Sequence, residues 1–187
     1  EGGIQFEYTS TFTEKVIKVE PSGQTTIEIT AGEAKVKFGD QEMELPAQPT
    51  TTLVSKANGE IVEIKSSGTE DKDEYRREHM TLFLFPDDPV KVGDKWSREI
   101  KADPKRNIVA AKVEYEVIAA EKVGDLETLK IKFNFKESEG AQPISSEGHF
   151  WIHVKDGSMV KLVGASKNVP TPGLPTPISA RYTIERQ

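Results

Sequence analysis

Leu129-Lys130-Ile131-Lys132-Phe133-Asn134-Phe135-Lys136 places every apolar side chain at an odd position and every polar one at an even position. Successive side chains of a strand point to opposite faces, so this run is a strand with one dry and one wet side. Buried parallel strands read as continuous apolar runs, so regular alternation predicts antiparallel pairing. The pattern recurs outward from this run. Val113, Tyr115 and Val117 alternate with Lys112, Glu114 and Glu116; Ala34, Val36 and Phe38 alternate with Lys35 and Lys37. Ile27 and Ile29 share one side, and Ile178, Ala180, Tyr182 and Ile184 close the chain in the same manner. Near the start, Ile4, Phe6 and Tyr8 are even but Ile17 and Val19 are odd, which predicts a bulge or kink near Ser10 to Glu14. Gly32 predicts another.

Two stretches read as one unit written twice. Val16-Ile17 to Gly23 matches Val117-Ile118 to Gly124, and Asn58-Gly59 matches Asp156-Gly157. Around the second pair, Leu53-Val54 falls on Trp151-Ile152, Ile61-Val62 on Met159-Val160, and Ile64 on Leu162. Asn-Gly and Asp-Gly between apolar runs are strong hairpin signals. Between the copies, Asp71, Asp73 and Glu74 precede Tyr75, His79, Leu82 and Phe83 at helical spacing, with Thr69 or Glu70 as the cap. That helix should end near Met80, before an extended Leu82–Phe85 stretch. The expected fold is mostly β: a strongly curved antiparallel sheet or open β-barrel of about nine strands, built from two similar halves, with one short helix at about 70–80. A single domain over 1–187 is expected, with the repeat at about 4–66 and 107–164 and a connecting segment at 69–100.

Composition excludes several functions. The 187 residues carry 30% charged and 35% hydrophobic side chains and a net charge of −6. Without a basic face, nucleic-acid binding is not expected. The absence of cysteine removes disulfides, thiolate nucleophiles and cysteine metal sites. No apolar run approaches the ~20 residues that span a membrane. Membrane association would require a lipid anchor lost with a leader, which fits a chain beginning Glu1-Gly2-Gly3.

No residue pattern carries catalysis or a cofactor. His149 and His153 lie four apart, which on a strand separates them by roughly 13 Å, too far to share a metal whose ligands sit ~2 Å away. The acidic run from Glu70 to Glu74 is accounted for by a helix N-terminus, and Asp71-Lys72-Asp73 lacks the spacing of a calcium loop. No glycine-rich phosphate cradle or nucleophile elbow is present. The aromatics are the remaining candidates. Trp96, Trp151, Tyr115, Phe133, Phe135, Tyr75 and Phe83 would line an apolar surface if the sheet curls. Trp96 and Trp151 are each expected to open a strand. The helix and Val169–Pro177, with its four prolines, are candidate lids.

Phe85-Pro-Asp-Asp-Pro-Val-Lys-Val-Gly-Asp-Lys-Trp96 resembles the FP-x-x-PV-x-VGD-x-W segment of uncharacterised bacterial secreted proteins and lipoproteins. Phe150-Trp-Ile-His-Val-Lys-Asp-Gly-Ser-Met-Val-Lys161 is similar to the W-I-D-x-x-x-G-x-x-x-K hairpin of that group, with His153 in place of its Asp. At the level of fold, the group is similar to periplasmic lipoprotein carriers. The resemblance implies an extracytoplasmic protein, periplasmic, secreted or lipid-anchored, and transfers no catalytic residue. The expected function is non-catalytic binding of an apolar ligand, a lipid or a segment of an envelope protein; the alternative is a structural or interaction module, and a hydrolase using scattered carboxylates ranks below both.

Overall fold

The computed structural model describes residues 5–46, 49–68 and 71–187. The chain divides into two compact units, Glu1–Glu70 and Asp71–Gln187. Each holds one antiparallel sheet, and the fold is mostly β with one α-helix. Instead of the one curved sheet or open β-barrel expected from the alternation, the described residues form two separate antiparallel sheets. Eleven strands rather than about nine build a five-stranded and a six-stranded sheet.

The first unit contains β1 (Glu7–Val19), β2 (Thr25–Phe38), β3 (Gln41–Glu44), β4 (Thr51–Ser55) and β5 (Ile61–Ser66). They run in the order β1-β2-β4-β5; β2 is long enough to pair β4 along one half and β3 along the other. Even positions of β1 keep one face from Tyr8 to Val16, beyond the predicted kink. The irregularity near Ser10 belongs to the partner strand, where Gly32 and Glu33 stand opposite Thr11. A Cβ on Gly32 would lie 2.4 Å from the Thr11 hydroxyl, so only glycine fits there. The parity of β1 itself changes later, at Ile17, which has no partner in β2.

The second unit contains α1 (Glu74–Met80), β6 (Lys95–Ile100), β7 (Ala111–Val123), β8 (Leu126–Glu137), β9 (Ser145–His153), β10 (Met159–Val169) and β11 (Ile178–Glu185), with a 3₁₀ turn at Pro104–Arg106. Strands β6 to β11 pair strictly in sequence, each turning back on its predecessor. The helix ends where expected, at Met80. Its N-cap position is Asp73, and the suggested caps Thr69 and Glu70 lie outside the described residues. Trp151 does not open β9; it is the seventh of nine residues. The stretch Ser145–Gly148 before it also pairs, because Ser146 and Gly148 occupy dry positions with small side chains. The Ser146 hydroxyl bonds that of Tyr182 at 2.6 Å, and a Cβ on Gly148 would overlap the Val163 carbonyl oxygen on the neighbouring strand.

Val113, Tyr115, Val117, Ile131, Phe133, Phe135, Phe150, Ile152 and Leu162 line the dry face, and Leu84 packs on it from outside the sheet. Apolar area removed from water is the main favourable term in such a core. One ion pair staples the helix to it. Glu137, only 2% exposed, takes two bonds from the Arg76 guanidinium at 2.9 and 2.8 Å and a third from the Ile144 amide at 2.6 Å. Arg76 also meets Asp73 at 3.2 Å. Charged groups this dry persist only when every lone pair is used. Glu137→Ala strands both the guanidinium and the Ile144 amide and should cost about 3 kcal/mol in urea denaturation followed by tryptophan emission; Glu137→Gln, which keeps an acceptor, should cost less.

Candidate functional site

Five of the seven candidate aromatics converge in the second unit, and they converge on each other. Phe83 is the hub: its ring centroid lies 4.9 Å from Phe85, 6.0 Å from Trp96, 5.3 Å from Tyr115 and 5.2 Å from Phe150. Trp96 stacks on Tyr115 at 4.9 Å and 20°, and Phe133 meets Phe150 at 4.7 Å. Phe135 is 1% exposed on the same face. Edge-to-face and stacked geometries of this kind are favourable ring pairings. The faces that an apolar ligand would use are filled by neighbouring rings.

The extended strip Leu82–Phe85 closes this cluster without joining the sheet. Its backbone is held by side chains instead. Tyr115 accepts the Leu84 N–H at 3.0 Å and donates to the Leu82 carbonyl at 2.9 Å. The Trp96 indole N–H donates to the Leu84 carbonyl at 2.9 Å, and Arg98 donates to the Phe85 carbonyl at 2.7 Å. Burial pushes the Tyr115 phenol well above its ordinary pKa, so it remains a donor across the accessible pH range. The two motif segments meet here: a Cβ on Gly157 of the β9–β10 hairpin would stand 3.2 Å from the Phe85 ring. Gly93, at φ +97°, makes the turn that leads Trp96 into β6.

Tyr75 and Trp151 lie elsewhere. Tyr75 is half-buried on α1, with the Arg106 guanidinium 5.7 Å above its ring and His79 at 6.5 Å. Trp151 is on the opposite, wet face of the sheet. Lys130 and Lys161 lie 4.8 and 6.0 Å from its ring, and its indole N–H donates to Glu121 at 2.6 Å. His149, beside it, is held below its ordinary pKa by burial and then by Lys130 and Lys132. The three histidines do not assemble: His79 is buried on the helix, while His149 and His153 share the wet face of β9. Among the described residues, no three His, Asp or Glu side chains could hold a metal ion.

The proline-rich Val169–Pro177 stretch lies between β10 and β11, where Val169 still pairs with Ile178. It turns at Gly173, with φ +80°.

Sequence reading passed over a different surface. Twelve large hydrophobic residues are exposed among the described residues, and eight belong to the first unit: Phe6, Tyr8, Phe12, Val16, Ile17, Val19, Phe38 and Met43. Register puts seven of them on one face. Tyr8 and Met43 flank Val36 from either side, Phe12 stands beside Ala31, Val16 beside Ile27 and Val19 beside Thr25, while Phe6 meets Phe38 at 5.5 Å. Glu14 interrupts this row, opposite Ile29, and desolvation raises its pKa. The other face carries Thr9, Thr11, Thr13, Lys15 and Lys18 with Lys35, Lys37, Glu28 and Glu42. The signal for the dry face was available in the even-numbered series 6, 8, 12, 16, but its polar alternates are mostly threonine rather than charged residues.

Tyr115→Phe should leave the Leu84 N–H buried and unpaired, lowering stability by about 1–3 kcal/mol and accelerating hydrogen exchange at Leu84. At the β9–β10 turn, the Ser158 hydroxyl, then its amide and His153, hold Asp156 from 3.8 down to about 2. A carboxylate with a lowered folded pKa stabilises above its unfolded value, and that contribution is lost as pH falls through the folded one. Carboxyl NMR should therefore titrate Asp156 near 2, and Ser158→Ala should move its midpoint towards 3.8. The chain matches no protein-family model, no curated protein and no solved structure.

Proposed function

We propose that this chain is a non-catalytic binding domain of an extracytoplasmic bacterial protein, and that its ligand surface is the dry face of the β1–β5 sheet. The observation that carries this reading is the one-sided exposure of Phe6, Tyr8, Phe12, Val16, Val19, Phe38 and Met43. Contiguous apolar patches of that extent on a folded surface mark interaction sites. The non-catalytic reading is supported by the separation of the histidines and the dispersal of the carboxylates into ion pairs such as Asp71 with Arg77 and Asp87 with Arg98. Extracytoplasmic placement rests on the resemblance carried by Phe85–Trp96 and Phe150–Lys161.

The reading of two similar halves, 4–66 and 107–164, is supported by four bulges. Ile17 and Ile118 are each an unpaired extra residue one place after a valine. Val62 and Val160 each stand at a register shift just inside the following hairpin. Strand order is the same in both halves, β1-β2-β4-β5 and β7-β8-β9-β10. The bulges equate Leu53 with Phe150, one residue away from the pairing that side-chain similarity suggests.

A second reading, a module that pairs with another protein through a sheet edge, is favoured by β1, whose 13 residues pair on one side only.

The discriminating measurement is titration with a fluorescent apolar probe such as cis-parinaric acid. Phe12→Asp should weaken binding at least tenfold while the circular dichroism spectrum is unchanged. Unaltered probe binding by Phe12→Asp would remove this face from consideration, and partner recovery that also ignores Phe12→Asp would select the edge.

A further inference from the structure

The bulges allow the exposed face of the first sheet to be laid on the covered face of the second, residue by residue. Ile17 and Ile118 fix one point, which places Val16 with Val117, Glu14 with Tyr115 and Phe12 with Val113. Through their partners, Ile27 falls on Ile131, Ile29 on Phe133 and Ala31 on Phe135. Val62 and Val160 fix a second point, which places Leu53 with Phe150 and Ile64 with Leu162. The covered face is thus rich in rings where the exposed face is not. Tyr115, Phe133, Phe135 and Phe150 are replaced by Glu14, Ile29, Ala31 and Leu53.

What covers the second face is the extended strip Leu82–Phe85, which brings Phe83 and Phe85 and presents its Leu84 N–H to the Tyr115 hydroxyl. At the matching place, the first face keeps an acceptor, the Glu14 carboxylate. Its neighbours on that face are apolar: Phe12 and Val16 on its own strand and Ile29 across from it. Interiors pack to crystal-like density, so a face that lacks four of these rings and gains only Phe12, in place of Val113, accepts an occupant that supplies rings of its own. Glu14 is exposed as it stands, and an occupant that buried its carboxylate on such a face would have to supply a donor. An acyl chain has none, and two copies packed face to face would bury a second carboxylate instead of supplying one.

We propose that this face docks an extended, aromatic-bearing polypeptide segment, laid across the sheet as Leu82–Phe85 is laid across the other, with a backbone N–H donated to Glu14. This rests on the reading of the face as the ligand surface and names its occupant. Recognition is then double: the rings fill the space above Ile29, Ala31 and Leu53, and the amide meets the carboxylate in the row.

The probe is a fluorescein-labelled peptide with the sequence of residues 79–90 of this chain, titrated by anisotropy against the full chain. Saturable binding is expected. It should fall at least tenfold in Glu14→Leu, which keeps bulk and apolarity but removes the acceptor, and much less in Glu14→Gln, which keeps a carbonyl. Cis-parinaric acid should bind Glu14→Leu as well as or better than the parent chain. Peptide binding indifferent to Glu14→Leu, or absent while parinaric acid still binds, would overturn the occupant and leave the surface standing. Sedimentation showing a dimer that Phe12→Asp dissociates would replace the peptide by a second copy. Failure of both probes to bind the parent chain would sink the surface itself.

Discussion

A single phenolic oxygen decides how the six-stranded sheet is closed. Tyr115 stands in the middle of β7, almost fully buried, and uses its one hydroxyl as acceptor for Leu84 and donor to Leu82. Buried backbone groups must be satisfied. A strip that is neither helix nor strand can therefore cover a dry sheet face only if side chains answer its amides and carbonyls. Tyr115, Trp96 and Arg98 do this from two adjacent strands. The ring packing around Phe83 follows from that placement, as does the contact of Phe85 with the hairpin at Gly157. The segments Phe85–Trp96 and Phe150–Lys161 thus meet where this core is closed.

The five-stranded sheet obeys the same one-sided logic without such a strip. Its polar face is held by threonines and by ion pairs such as Lys35 with Glu42 at 3.0 Å, exposed contacts that contribute little each. Its dry face buries only Ala34, Val36, Ile61 and Ile64 among large or medium apolar residues. Most of its cohesion thus comes from the ladder itself and from cross-strand neighbours on one side. The contrast between the two sheets is one of cover rather than of strand chemistry.

Much of this fold was legible in the sequence. The runs Leu129–Lys136 and Ile178–Glu185 declared their faces by strict alternation, and the turn glycines Gly59 and Gly157 adopt the positive φ their hairpins need. The end of the helix at Met80 followed from the extended residues and proline after it. What was not legible has physical reasons. A change of parity reports a bulge but not where along the strand it falls, so the Ile17 bulge was placed too early, near Ser10 to Glu14, while the bulge at Gly32 was legible from the glycine itself. The start of β9 was hidden because Ser146 and Gly148 put a hydroxyl and a bare backbone, not apolar side chains, at its dry positions. Candidate aromatics such as Tyr115, Phe83 and Trp96 stood out by residue type, but residue type cannot tell whether a ring's face meets a ligand or another ring. Phe12 was not read as part of a dry face because threonines, Thr11 and Thr13, flank it rather than charges.

The placement of the two indoles has a practical consequence. Trp96 is stacked on Tyr115 and hydrogen-bonded to Leu84, whereas Trp151 sits between Lys130 and Lys161 on the wet side of the same sheet. The chain has no other tryptophan, and Tyr8 is the lone tyrosine of residues 1–70. Intrinsic indole emission is therefore a private signal of residues 71–187, and an emission melt follows one sheet of a two-sheet chain while the other dissolves unseen.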